Sequence, residues 1–180
     1  MNSWKAFNID REYGALKIAL LALITFILTF CFSYVIISLY YSSPHNDQFL
    51  SLFIVALVIL YPVHKLLHFV ALFDFRKNIT MEWKFNYRFI PVLSIHLKQY
   101  IPKYRYALTL LAPLILLNGL FIFYAIQFPS FAHYFCLLFG IHCGLCVNDF
   151  LNLKQFWNSP RHAVIEETHQ GFEVLVPPRS

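Results

Sequence analysis

Two histidines stand four residues apart, His64 and His68, inside Val58–Phe73 (VILYPVHKLLHFVALF), a run that is otherwise almost wholly apolar. On an α-helix this spacing is about 40° in azimuth and about 6 Å in rise, so the two imidazoles share a face. Imidazoles so placed can chelate one metal ion, which is how an H-E-x-x-H helix holds zinc. In that motif a glutamate follows the first histidine. Here the position is Lys65. Asp149, far along the chain in another apolar run, is a candidate third, oxygen ligand.

The elements that carry these residues follow from composition. The chain has 180 residues, 59% hydrophobic and 13% charged, with 20 Phe and 11 Tyr, and its mean hydropathy is +0.58. Soluble domains average about 45–50% apolar and about 25% charged residues. This composition excludes an ordinary soluble domain and predicts an all-α membrane protein. Four spans can be read, at residues 17–41, 49–75, 106–128 and 131–151. Each has about the 20 residues a helix needs to cross the hydrocarbon layer, and in lipid such segments must be helical to satisfy their backbone groups. The first lacks a small-x-small cleavage site at its end and is expected to be retained.

Thirteen of the fourteen Lys and Arg residues fall in three segments: the N-terminal tail through Lys17, loop 76–105 and tail 152–180. The connections at Pro44 and Pro129 hold none, and the fourteenth is Lys65. The positive-inside rule therefore predicts a multi-pass cell-membrane protein with both termini and the middle loop cytoplasmic. The net charge of +5 reads as topology and contact with anionic headgroups, and nucleic acid is not expected as a partner. Cys31, Cys136, Cys143 and Cys146 all lie in spans, so they read as packing residues and not as a disulfide framework.

The chain reads as a single membrane domain, residues 1–180. In its N-terminal tail, Asn8-Ile9-Asp10 can cap a short helix. In the middle loop, Trp83, Phe85, Tyr87 and Phe89 alternate with Glu82, Lys84, Asn86 and Arg88, the period-two signature of a half-buried strand. Pro91 is expected to end that strand and Val92–Leu97 to form a second, giving a small cytoplasmic β-ribbon between spans 2 and 3. Phe172, Val174 and Val176 alternate in the tail and are expected to add a strand to this ribbon.

A charge at mid-bilayer costs about 2.5–3.5 kcal/mol on insertion scales, which singles out His64, Lys65, His68, His142 and Asp149. Spans 2 and 4 run in the same direction, so Asp149 can reach the cytoplasmic half of span 2. Pro62 is expected to kink span 2 before the histidines. Gly140-x-x-x-Gly144 is expected to let span 4 approach span 2 closely. His142, four residues before Cys146, reads as a structural core histidine, and Cys143-x-x-Cys146 as packing. No role is assigned to His96, His133, His162 or His169.

The membrane H-x-x-x-H helix, the basic strand-like loop, the segment IPKYRYALTLLAP leading into span 3, the last span ending CVNDFL and the tail SPRHAVIEET together resemble a bacterial family of small multi-pass membrane proteins known as "putative zincin peptidases". That family is distantly similar to the site-2 intramembrane metalloproteases. The resemblance runs from about span 2 to the tail. It implies a zinc cofactor held by His64, His68 and Asp149, and a zinc-dependent intramembrane metallopeptidase activity on a membrane-protein substrate.

The departure falls on the general base. The glutamate of the motif takes a proton from the attacking water and passes it to the leaving amine. A protonated Lys65 can do neither, and its charge opposes a neighbouring dication. Three readings stay open: a working metal site with Lys65 turned away or deprotonated; a retained metal with hydrolysis lost; or Lys65 substituting for the metal by pairing with Asp149. The second and third are preferred. They give a catalytically degenerate relative, a pseudoenzyme acting as a membrane binding or regulatory protein. An active metallopeptidase is the alternative, and a channel or transporter ranks last. The expected partners are the lipid bilayer, a membrane-protein substrate or partner, and a second copy of the chain.

Overall fold

The computed structural model describes residues 2–41, 44–73, 79–86, 90–97, 100–168 and 171–176. Asp74 and the basic residues Arg76, Lys77, Arg88, Lys98 and Arg179, read above as topology signals, lie outside the described residues. The N-terminal tail forms a strand, β1 (Asn2–Phe7), and a short helix, α1 (Ile9–Tyr13). Asn8 caps α1 as its type and position suggest, with Oδ1 accepting from the Arg11 amide at 3.0 Å.

Three of the expected spans are single helices: α2 (Ala15–Tyr40), α3 (Leu50–Ala71) and α4 (Lys103–Gln127). Together with the Pro129–Trp157 segment they make four segments long and apolar enough to cross a membrane. The last of these is not one helix. A 3-10 turn (Pro129–Phe131) leads into α5 (Ala132–Leu145), and a turn at Cys146 separates it from α6 (Val147–Trp157). Beyond that turn the sequence becomes amphipathic. Asp149, Leu153 and Phe156 occupy the buried face of α6 at i, i+4, i+7 spacing. Helix α3 continues through Pro62 without interruption.

The helices pack in the order α2–α5–α4–α3. Gly140 and Gly144 therefore serve a different contact from the one expected. A Cβ on Gly140 would lie 2.9 Å from Phe30 Cβ, and one on Gly144 would lie 2.9 Å from the carbonyl oxygen of Ala22. Both partners belong to span 1, so the small-residue stripe seats α5 on α2 and not on span 2. No residue of α2 is buried, and the helix it packs against most is α5. Gly144→Ala pushes a methyl group against backbone that cannot rotate away, and a loss of about 1–3 kcal/mol is expected. Thermal unfolding in detergent measures it, and an unchanged midpoint would show that the close approach is dispensable.

Two small antiparallel sheets complete the fold among the described residues. The expected ribbon is present as β2 (Ile79–Asn86) paired with β3 (Ile90–Leu97), with Trp83 opposite Leu93. Pro91, expected to end the first strand, instead lies inside the second, β3, opposite Phe85. A two-stranded ribbon has only edge strands, and there a missing N–H is tolerated. The second sheet was only partly foreseen. It takes β4 (Ile101–Pro102), β5 (Val164–Thr168) and β6 (Gly171–Val176) in the order β1-β6-β5-β4. The tail thus pairs with the N-terminal strand and with the start of α4, not with the ribbon. Its alternation has a packing cause: Phe172 and Val174 are buried in a cluster with Phe7, Ile101, Leu110 and Phe156, which roofs the ends of α4 and α6. Lys103 fastens the same end, its ammonium donating to the carbonyls of Trp157 and Ser159 at 2.6 Å each.

Candidate metal centre

Each polar residue singled out within the apolar runs can now be placed. His64 and His68 lie on the buried face of α3, which looks toward α4 and the α5–α6 turn. Asp149 is in the first turn of α6, directly after the break at Cys146. The three side chains meet: His64 Nε2 is 3.1 Å from His68 Nε2, and Asp149 Oδ2 is 3.3 Å from the first and 3.5 Å from the second. All three residues are buried, at 3%, 7% and 7% exposure.

The outer nitrogens fix which atoms point inward. His68 Nδ1 lies 2.9 Å from the carbonyl oxygen of Thr109, which can only accept, so the nitrogen donates and, in the neutral imidazole, Nε2 carries a lone pair. That carbonyl is available for a reason legible in the sequence. In an α-helix it would accept from the amide of residue 113, and residue 113 is a buried proline with no N–H. His64 Nδ1 faces His142 Nε2 at 3.1 Å, and His142 Nδ1 faces Asn118 Oδ1 at 2.7 Å. Asn118 Nδ2 donates to Cys143 Sγ at 3.3 Å, which leaves its Oδ1 as the acceptor. The chain therefore runs one way. His142 donates to Asn118, His64 donates to His142, and His64 Nε2 carries a lone pair too.

With both imidazoles neutral, three acceptors thus converge with no proton among them. Among the described residues nothing donates a hydrogen bond to Asp149 Oδ2, which is shut away from solvent. An uncompensated carboxylate oxygen facing two lone pairs is a costly arrangement, and a cation is what relieves it. The spacing suits a particular cation. Tetrahedral zinc, with bonds of about 2.0–2.1 Å, sets its ligand atoms about 3.3–3.4 Å apart. The residues present fit zinc, with His64, His68 and Asp149 as its protein ligands. A second grouping, His64, His142 and Cys146, lies within similar reach. It is a poorer donor set, because His142 Nδ1 donates to Asn118 and the lone pair on its Nε2 already accepts from His64 Nδ1.

Lys65 stands apart from the centre. Its ammonium lies 5.9 Å from the ring centre of Tyr61, one turn back on α3, at the outer range of a cation–π contact. Among the described residues the basic side chains beside Asp149 are His64 and His68, at 3.3 and 3.5 Å. The reading in which Lys65 replaces the metal by pairing with Asp149 is not the arrangement found. Geometry explains why: residue 65 is about 100° around the helix from residue 64, off the face that carries the histidines.

A family model described as "Putative zincin peptidase" matches residues 57–164. The chain belongs to that family. The matched segment contains all three converging residues as well as Asn118 and His142. No curated protein and no solved structure matches the chain. Two parts of this zincin-family centre escaped the sequence reading. Asn118, at the middle of span 3 and 8% exposed, is not among the polar residues that the sequence singles out. His142 was weighed and read as purely structural, yet it touches His64. A lone Asn in an apolar span was the available signal.

Proposed function

We propose that this protein is a zinc-binding, multi-pass membrane member of the zincin peptidase family that retains the metal centre but has lost peptide hydrolysis, and that it acts as a membrane binding or regulatory protein. The observation that carries this reading is the meeting of three lone pairs at zinc spacing beside a helix position occupied by Lys65. Zinc held there supplies positive charge and Lewis acidity. The chain's own residues hold it, and Lys65 offers no carboxylate to move a proton. Space supports the reading as well. The recess beside Asp149, lined by Leu110, Leu111, Leu114, Cys146 and Phe150, leaves no room for a water-sized sphere, whereas ligand pockets begin at roughly 300 Å³. The bundle lies in the cell membrane with its sheet-capped end, where the basic residues gather, on the cytoplasmic side. Its partners are the bilayer and another membrane protein.

The test is the zinc content of the purified protein beside Lys65→Glu and His64→Ala. The expected outcome is about one zinc per chain in the first two and none in the third. Incubation with a single-span model substrate is expected to leave that substrate intact. Cleavage by the unmodified protein, lost in His64→Ala, would instead establish an active metallopeptidase. Absence of zinc from the unmodified protein at saturating metal would sink the metal reading.

A further inference from the structure

From the buried chain Asn118–His142–His64 we infer that His142 is a positioning residue for the metal centre. It holds the His64 imidazole in the one tautomer and orientation that present Nε2 to the ion, and Asn118 holds His142 in turn. The inference rests on the metal reading above and goes beyond it, because neither His142 nor Asn118 is among the proposed ligands.

A neutral imidazole has one N–H, and whichever nitrogen carries it cannot bind a metal. In water the two tautomers of His64 exchange freely. Here His142 Nε2, 3.1 Å away, can only accept, because the Asn118 carbonyl oxygen at 2.7 Å takes the His142 proton on Nδ1. The Asn118 amide is itself oriented by its bond to Cys143. His142 is fully buried, so no water competes for the His64 proton. His68 needs no such side chain, since the Thr109 carbonyl freed by Pro113 does the same for it. Each histidine of the pair is thus locked from behind by a separate acceptor, one supplied by α5 and the other by α4. Partners of this kind commonly contribute 10–100-fold to metal affinity.

The experiment is zinc titration of the full chain in detergent against a chromophoric chelator, for the unmodified protein, His142→Ala, His142→Gln and Asp149→Ala. In parallel, nitrogen-15 spectra of the histidine-labelled unmodified protein read the tautomers directly. The expected result is that His142→Ala still binds about one zinc but about 10–100-fold more weakly. The glutamine variant, which can accept through its amide oxygen, recovers most of that loss. The spectra show protonated Nδ1 on His64, His68 and His142. Unchanged affinity in His142→Ala, with zinc binding abolished in Asp149→Ala, overturns this inference and leaves the metal reading standing. An unmodified protein that takes up no zinc overturns both. If His142→Ala does not fold, the spectra decide alone, and a His64 protonated on Nε2 overturns the inference.

Discussion

His64→Ala is expected to abolish zinc binding and, with it, the dependence of stability on zinc. In the unmodified protein, ligand that binds only the folded state stabilises it by mass action, about 4 kcal/mol when free zinc is about a thousandfold above its dissociation constant. Adding a strong chelator removes that increment, so the unfolding transition should move to lower temperature or denaturant. The direction follows from the site's electrostatics. Emptied of metal, Asp149 faces two imidazole lone pairs in a buried setting, which strains the folded state. In His64→Ala one of the three donors is gone, and His142 loses the group that donates to it. The variant should therefore start from the lower stability and show no response to zinc or chelator. A parallel set of unfolding curves with and without zinc reads both effects. Equal zinc-induced shifts in the two proteins would place the metal elsewhere.

Phe156→Ala is expected to cost about 3–5 kcal/mol, the range for removing a fully buried aromatic side chain. Phe156 has no exposed surface. Its ring lies 5.5 Å from that of Tyr106 on α4 and 6.0 Å from that of Phe172 on β6. It thus joins α6, α4 and the four-stranded sheet at one point, and no neighbour can collapse into the space without moving one of the three. The loss should not stay local, because α6 also carries Asp149 two turns earlier. Zinc affinity is expected to fall along with stability. A conservative Phe156→Leu change should recover much of both. Denaturant titration combined with metal competition measures the pair, and full retention of stability in the alanine variant would refute the placement of Phe156 as the shared anchor.

The parts of the fold legible in the sequence were those dictated by composition over a long window. Twenty or more apolar residues specify a membrane-capable helix, whatever they pack against, and three of the four spans were read close to their observed ends. The ribbon was legible because its partner strands are adjacent in the chain. Strand β1 was not, because it pairs with β6 about 170 residues later, and nothing local announces such a partner. The glycine stripe was correctly read as a close-approach surface but assigned to the wrong helix, since a spacing motif names a face and not its partner. At the site, His64, His68 and Asp149 were legible as polar residues in unfavourable positions, two of them in helical register. Asn118 and the Thr109 carbonyl were not. The first was passed over in an apolar span, and the second depends on a proline whose missing hydrogen matters only when a histidine from another helix comes within reach.

The burial of the centre has a bearing on rates. Its ligand atoms have almost no contact with solvent, and the recess beside Asp149 is too small for a hydrated ion to pass. An ion can enter or leave only when the helices around the centre separate, so the residence time of bound metal is set by the frequency of that opening, on the timescale of collective helix motion or slower. Dissociation constants and exchange rates then become independent properties of this protein. A variant that loosens the sheet end of the bundle would exchange isotopically labelled zinc faster even where the affinity is little altered, and a brief chelator pulse would strip metal from the loosened form while sparing the parent.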